Sequence, residues 1–163
     1  MFKAIEYVKS GAADAIVSSG NTGALMVIST ILMKTIKGIN RPAIASIFPT
    51  KKSETLMLDL GANIECDVKN ILDFAIMGNI FSKTVLGIKK PKIGLLNIGS
   101  EILKGNHVVQ LAAKRLEKEK NMDFYGFVEG NDIPMGIVDV VVTDGFTGNI
   151  ALKIAEGTSE LYT

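Results

Sequence analysis

Glycine is paired with Asn, Ser, Thr or Asp in four short stretches of the chain, and such pairs suit anion binding. Backbone N–H groups beside glycine and neutral side-chain donors hold phosphate-like oxygens, above all where a helix begins. The stretches are SSGNTG at 18–23, DLGAN at 59–63, NIGSE at 97–101 with KGN at 104–106, and DGFTGN at 144–149. They predict substrate-binding roles for Gly20, Asn21, Thr22, Gly23, Gly61, Asn63, Gly145, Thr147, Gly148 and Asn149.

Two lysines lie close to these stretches in the sequence. Lys104 comes just before a predicted helix, where its ammonium group can reach a bound anion. Lys153 follows Asn149 by about one helical turn, so it can point back toward the same turn, and we predict that it also binds substrate. Lone lysines are usually surface residues, and Gly-Asn and Asp-Gly pairs are ordinary turn residues. A purely structural role therefore stays open for each residue taken singly. None of the stretches matches Gly-x-Gly-x-x-Gly or the P-loop pattern.

The only histidine and the only cysteine are weak catalytic candidates. His107 is the default general base near neutral pH, but it begins a helix made largely of packing residues. Cys66 lies between Glu65 and Asp67, whose charges disfavour a thiolate. One His and one Cys are too few for a zinc site, so neither a metal nor a cofactor is expected.

Composition indicates a globular, packed protein. Hydrophobic residues make up 47% of the 163 residues and charged residues 21%. Formal net charge is +1, so no overall field favours nucleic acid. The single cysteine fits a reducing compartment, residues 1–11 lack a signal-peptide pattern, and the apolar run at 24–33 is shorter than the roughly twenty residues of a membrane span. We predict a cytoplasmic protein.

Aliphatic strands alternate with helical patterns along the whole chain. Strands are predicted at 14–18, 43–48, 55–60, 92–98, 124–128 and 138–144, and helices at 1–11, 24–36, 68–86, 106–120 and from Asn149. This order is typical of an α/β protein with three α/β/α layers and a mostly parallel sheet. Ligands of such sheets bind beyond the carboxyl ends of the strands, so the four polar stretches are expected to line one cleft. We predict a single domain over 1–163, an internal fragment of a longer protein.

Six segments together resemble one family. They read AADAIVSSGNTGALM, RPAIASIFPT, LDLGANIECD, FAIMGNIFSKTVLGI, IGLLNIGSEILKGN and VDVVVTDGFTGNIALK, and in this order they closely resemble the PlsX family of phosphate acyltransferases. The resemblance implies transfer of a fatty acyl group from acyl carrier protein to inorganic phosphate, giving acyl phosphate for bacterial phospholipid synthesis. It implies a homodimer and a fold similar to phosphotransacetylase and the isocitrate and isopropylmalate dehydrogenases. Family members are longer and open with an Asp-Ala-Met-Gly-Gly-Asp strand that is not found here.

The resemblance also implies roles for residues of the LKGN segment. Lys104 and Asn106 would be catalytic, contacting phosphate or the thioester oxyanion, while the polar stretches supply neutral donors. His107 stands where the family often has an acidic residue. The apolar helix at 24–36 would line the acyl groove or the dimer seam.

Two other functions stay open at this point. One is a short-acyl phosphotransacetylase that uses coenzyme A, and the other is an inactive binding or dimerisation fragment. Because the expected product is lipid-like, peripheral contact with the membrane is a further open alternative.

Overall fold

The computed structural model describes residues 1–101 and 103–162. Within it the chain divides into two compact units, Met1–Pro42 and Ala43–Thr163. The expectation of one domain within a longer protein stays a prediction.

The first unit contains two helices that contact each other. Helix α1 spans Phe2–Ser10 and ends at Gly11, whose left-handed backbone (φ 77°) donates to the Tyr7 and Val8 carbonyls. Helix α2 spans Thr22–Met33 and begins where the Asn21 side chain accepts a hydrogen bond from the Ala24 N–H. It therefore starts earlier and ends earlier than the predicted helix at 24–36.

The strand predicted at 14–18 is wrong, because these residues form no ladder in the described structure. Val17 is fully exposed. A short apolar run becomes a strand only where a neighbouring strand accepts its hydrogen bonds, and the run itself carries no information about that neighbour.

The second unit is built on a sheet, which has five strands in the residues that are described. They are β1 Ala45–Pro49, β2 Glu54–Leu58, β3 Lys92–Leu96, β4 Asp123–Val128 and β5 Val140–Val142. Their order across the sheet is β1-β2-β5-β3-β4. Among these described strands, only the β1–β2 pair is antiparallel. The mostly parallel sheet predicted from sequence is confirmed.

In the part of the second unit that the structure describes, three helices cover the sheet, and a short 3-10 helix at Gly130–Asp132 follows β4. They are α3 Val68–Thr84, α4 His107–Leu116 and α5 Gly145–Leu161. Strand residues alternate between two core clusters, one formed with α3 and α4 and the other with α5. Leu56 and Leu58 face the first cluster and Met57 the second, the two-residue period of a strand with both faces buried. These layers confirm the predicted α/β/α architecture.

The strand order also fixes where the polar loops lie. Strands β2, β5 and β3 are adjacent and parallel, so their carboxyl ends share one edge of the sheet. Three of the four polar stretches follow these strands, and α5 or α4 begins directly after two of them.

Candidate functional site

The loop after β2 is organised by a buried carboxylate. Asp59 Oδ1 accepts hydrogen bonds from the N–H groups of Ile44 (2.9 Å) and Ala62 (3.0 Å). Its Oδ2 accepts from both the backbone N–H (2.7 Å) and the side-chain amide (2.8 Å) of Asn63. The side-chain amide of Asn63, predicted to bind substrate, thus donates within its own loop in this structure.

The loop after β5 is the first turn of a helix rather than a separate glycine turn. Asp144 caps α5, with Oδ1 accepting from the Thr147 N–H (2.8 Å) and Oδ2 from the Thr147 hydroxyl (2.9 Å). The helix therefore begins at Gly145, and the predicted start near Asn149 is wrong by about one turn. Asp followed by glycine is a turn pattern, but here the capping carboxylate of Asp144 decides where the helix begins.

The glycines of this turn contact protein backbone closely. Gly145 donates its N–H to the Asn63 carbonyl at 2.8 Å, and a Cβ on Gly145 would lie 2.6 Å from that carbonyl oxygen. A Cβ on Gly148 would overlap the Asp59 carbonyl oxygen. Both glycines are buried. They allow α5 to pack directly onto the end of β2, so their first role in this structure is helix packing.

Gly61 and Asn149 are neighbours across the same seam. Gly61 has a φ of 125°, which a residue with a side chain rarely adopts, and its Cβ position lies 3.4 Å from Asn149 Oδ1. The structure thus brings together the predicted site residues of the loops after β2 and β5.

The loop after β3 is held by two amide side chains. Asn97 Nδ2 donates to the carbonyls of Gly99 (3.0 Å) and Lys104 (3.1 Å). Gln110 Nε2 donates to the carbonyls of Leu103 (2.9 Å) and Gly105 (3.1 Å). These bonds fix the backbone around Lys104 without engaging its ammonium group.

Asn106 caps α4 in the way that Asp144 caps α5. Its Oδ1 accepts from the Val109 N–H at 2.9 Å, and its side chain is exposed. Within the described residues, its Nδ2 donates to no partner, so the amide end of this predicted catalytic residue is available.

Two cavities lie where α4 and α5 begin. One, of about 420 Å³, extends to Glu65 and Cys66 just before α3, and the other, of about 320 Å³, extends to Asn97 and Gly105. Both are lined by Asn106, Val109, Asp144 and Thr147. In this part of the chain as described, the backbone N–H groups of His107, Val108 and Phe146 donate to no protein acceptor. Unpaired N–H groups at two helix starts are the feature that favours an anion.

The charges around the cavities do not all favour an anion. Asp144 and Glu65 line them with carboxylates. Lys104 Nζ lies 4.0 Å from Glu101 Oε1, and its side chain is 52% exposed. Lys153 Nζ pairs with Glu156 Oε2 at 2.6 Å, one turn toward the end of α5, and so does not reach back to the helix start. Of the two predicted cations, Lys104 is the one on a loop that borders a cavity.

The remaining predicted residues, Gly20, Asn21, Thr22 and Gly23, belong to the first unit. They form the turn that begins α2, where the Asn21 side chain serves as the cap.

His107 and Cys66 lie at the start of α4 and just before α3. His107 is exposed at the start of α4, and Cys66 Sγ lies 3.5 Å from the Asn63 carbonyl. Across residues 1–101 and 103–162, no cluster of three His, Cys, Asp or Glu side chains is arranged to hold a metal ion. None of the helices within those ranges has the length and hydropathy to cross a bilayer.

Several residues that shape the site were not predicted as site residues. Asp144 and Phe146 line a cavity, Asp59 orders the β2 loop, and Gln110 orders the β3 loop. An acidic residue placed just before a helix pattern is a capping signal, and it identifies Asp144. Gln110 has no comparable signal, because its hydrogen bonds to the carbonyls of Leu103 and Gly105 depend on the loop conformation.

Comparison with known proteins identifies a family. A family model described as fatty acid synthesis protein matches residues 1–163. The chain is 59% identical to the phosphate acyltransferase of Paramagnetospirillum magneticum over all of its length and 47% of that protein. It is 58% identical to the phosphate acyltransferase of Rhodospirillum centenum over 98% of the chain and 45% of that protein. The chain thus spans about half the length of these relatives.

A solved structure shares the fold. EutD phosphotransacetylase from Staphylococcus aureus aligns with a TM-score of 0.68 at 20% identity, over 98% of this chain and 55% of that one. At this identity the likeness shows the fold alone, and it confirms the expected similarity to phosphotransacetylase. The family model and the relatives together confirm the resemblance found in the sequence: the chain belongs to the fatty acid synthesis protein family, the PlsX phosphate acyltransferases.

Proposed function

We propose that the complete protein transfers a fatty acyl group from acyl carrier protein to inorganic phosphate, with phosphate bound where α4 and α5 begin. The observation that carries this proposal is the pair of capped helix starts around two adjoining cavities. The N–H groups of His107, Val108 and Phe146 there have no acceptor among the described residues. Helix starts are suited to phosphate because they combine free N–H donors with the positive end of the helix dipole. The names of the relatives support the same reaction.

The reaction needs no covalent intermediate on the enzyme. A phosphate oxygen attacks the thioester carbonyl carbon, the carbon–sulfur bond breaks, and acyl phosphate forms. The leaving sulfur takes up the proton that the hydrogen phosphate dianion carried and is released as the thiol of the carrier. The protein has to hold the dianion against one face of the thioester carbonyl and stabilise the oxyanion that forms, and both tasks are electrostatic.

Asn106 and Lys104 take the catalytic roles in this proposal. The Asn106 amide donates toward the phosphate or the oxyanion, since its other end is fixed on the Val109 N–H. Lys104 exchanges its 4.0 Å contact with Glu101 for the bound anion, which is a small energetic change because the pair is exposed.

The other predicted binding residues take positioning roles. Thr147 and Asn149 belong to the first turns of α5, and Gly61 and Asn63 fix the neighbouring loop. Gly20, Asn21, Thr22 and Gly23 provide the start of a further helix, α2.

The test of the proposed function is an assay of acyl phosphate formation by the complete protein. Palmitoyl acyl carrier protein with inorganic phosphate should be turned over, and acetyl coenzyme A should be a poor donor. A clear preference for acetyl coenzyme A would overturn the proposal in favour of a short-acyl phosphotransacetylase. The chain of 163 residues assayed alone should show weak or absent turnover, because it spans about half of its relatives.

We further propose that the protein works in the cytoplasm as a homodimer. Support comes from α2, on which Val27, Ile31 and Met33 are at least half exposed, an apolar surface suited to a second subunit. Light scattering on the complete protein should give twice the chain mass. A monomer at micromolar concentration would contradict the dimer.

A further inference from the structure

An apolar groove runs along α5, on the face of the sheet that carries the second core cluster. Its volume is about 670 Å³, within the roughly 300–1,000 Å³ common for ligand sites. The walls are β1, the end of β3, the segment after β4 and α5, and they include Phe48, Leu96, Ile133, Ala151 and Ile154. No charged side chain lines the groove among the described residues, and its polar side chains are hydroxyls.

The groove adjoins the cavities at the sheet edge. Leu96 lines both the groove and the smaller polar cavity. Thr147 lines the polar cavities, and Ala151, Ala155 and Thr158 line the groove. These four residues recur at intervals of four, four and three, so they lie on one face of α5. One helix face therefore leads from the polar site into the apolar groove.

The length of this face suits a hydrocarbon chain. From Thr147 to Thr158, α5 advances by about 16 Å, at about 1.5 Å per residue. An extended chain of carbon–carbon bonds advances by about 1.25 Å per bond, so the same length holds about a dozen methylenes. A chain whose carbonyl carbon lies at the polar edge would end near the last turns of α5.

We propose that this groove binds the fatty acyl chain of the substrate and sets the preferred chain length. The inference rests on the proposed function, and it assigns the acyl site to α5 and β1. Of the two roles that the resemblance left open for the apolar helix at 24–36, the acyl groove or the dimer seam, it favours the dimer seam. Three observations carry it: the uncharged lining, the wall at Leu96 shared with the smaller polar cavity, and the matching length. The thioester carbonyl would then lie beside the start of α5, within reach of phosphate held there.

The experiment uses Ala155→Trp in the complete protein. Ala155 is exposed and lines the groove, so a tryptophan can fill the groove without entering the core. The matched control is Gly157→Trp, since Gly157 lies on the far side of α5 and a Cβ there meets no atom within 4 Å. KM and kcat are measured with butyryl, octanoyl, lauroyl and palmitoyl acyl carrier protein.

Ala155→Trp should raise KM for the palmitoyl donor by at least about tenfold, because each methylene kept out of the groove costs about fourfold in affinity. The butyryl donor should change by less than about twofold, and Gly157→Trp should leave both donors unchanged. An equal effect of Ala155→Trp on all four donors would overturn the inference. So would dissociation or unfolding of Ala155→Trp without a chain-length effect, since a second copy or another segment of the protein would then occupy the groove.

A direct binding measurement separates this inference from the proposed function. Parinaric acid, a fluorescent fatty acid, should bind the wild type and Gly157→Trp, and Ala155→Trp should bind it at least about tenfold more weakly. If wild-type protein forms no acyl phosphate yet shows this binding pattern, the proposed reaction is contradicted and the acyl-binding role of the groove is supported. If acyl phosphate forms but Ala155→Trp binds parinaric acid as the wild type does, the acyl-binding role of the groove is contradicted and the proposed reaction is supported.

Discussion

The first turn of α5 and its later turns have opposite surroundings. At the first turn, Asp144 and Thr147 bond to each other and Gly148 packs against the Asp59 carbonyl oxygen. Along the later turns, Ala155 and Thr158 face an open groove. Most polar groups of the first turn are therefore already engaged in holding the fold, while the apolar groups of the later turns remain free to bind. In our proposals, the start of the helix positions phosphate with a few remaining donors, and the groove selects the acyl chain.

The largest effect on the difference in packing between the first turn of α5 and its later turns is expected at Gly148. Gly148→Ala places a Cβ on the Asp59 carbonyl oxygen, so α5 must move away from β2. We expect a loss of about 3 kcal/mol or more in the free energy of unfolding, measured by urea denaturation. Gly157→Ala on the same helix has open space around its Cβ and should raise stability by up to about 1 kcal/mol. Equal stability of the two variants would show that the first turn is not closely packed.

The polar end is tested next at Lys104. Lys104→Ala should lower kcat at least tenfold, about 1.4 kcal/mol in the activation free energy, with an unchanged urea midpoint. The midpoint should hold because the side chain is half exposed and its contact with Glu101 is long. Lys153→Ala is the comparison, and its effect should be smaller because that ammonium pairs with Glu156. Unchanged turnover in Lys104→Ala would remove Lys104 from the mechanism.

The smallest effect is expected at Asp144. Asp144→Asn keeps a side chain that caps α5 but removes a negative charge from the lining of both cavities. Stability should change by less than about 0.5 kcal/mol, since Asn and Asp are similar caps. The KM for phosphate should fall a few-fold, because a carboxylate repels a dianion. A large fall in kcat instead would show that the carboxylate itself takes part in the reaction.

Much of the fold could be predicted because it depends on local patterns. Runs such as Val140–Val142 and helix patterns such as Val68–Thr84 are set by period and composition, and the structure confirms them. The run at 14–18 has a similar composition but forms no ladder, because strand formation requires a partner that is distant in sequence. The predicted start of a helix was wrong where a capping side chain decides it, as Asp144 does for α5.

The site was predicted less completely than the fold. Parallel strand order explains why the loops after β2, β3 and β5 meet at one edge, and this followed from the α/β pattern. Sequence could not show that the Asn63 amide donates to Asp59, because alternative partners in the loop differ only in three-dimensional distance. The pair of Lys153 and Glu156 has the i, i+3 spacing of helix neighbours, and this local signal was missed. The groove also escaped prediction, since its walls come from segments far apart in the chain.

The central claim is that phosphate binds where α4 and α5 begin, and amide chemical shifts test it most directly. Inorganic phosphate is titrated into the isotopically labelled complete protein, and backbone N–H shifts are followed by NMR. We predict saturable shifts that are largest at His107, Val108 and Phe146, whose N–H groups have no protein acceptor within the described residues. Absence of saturable shifts there, with saturation at another set of amides, would contradict the account.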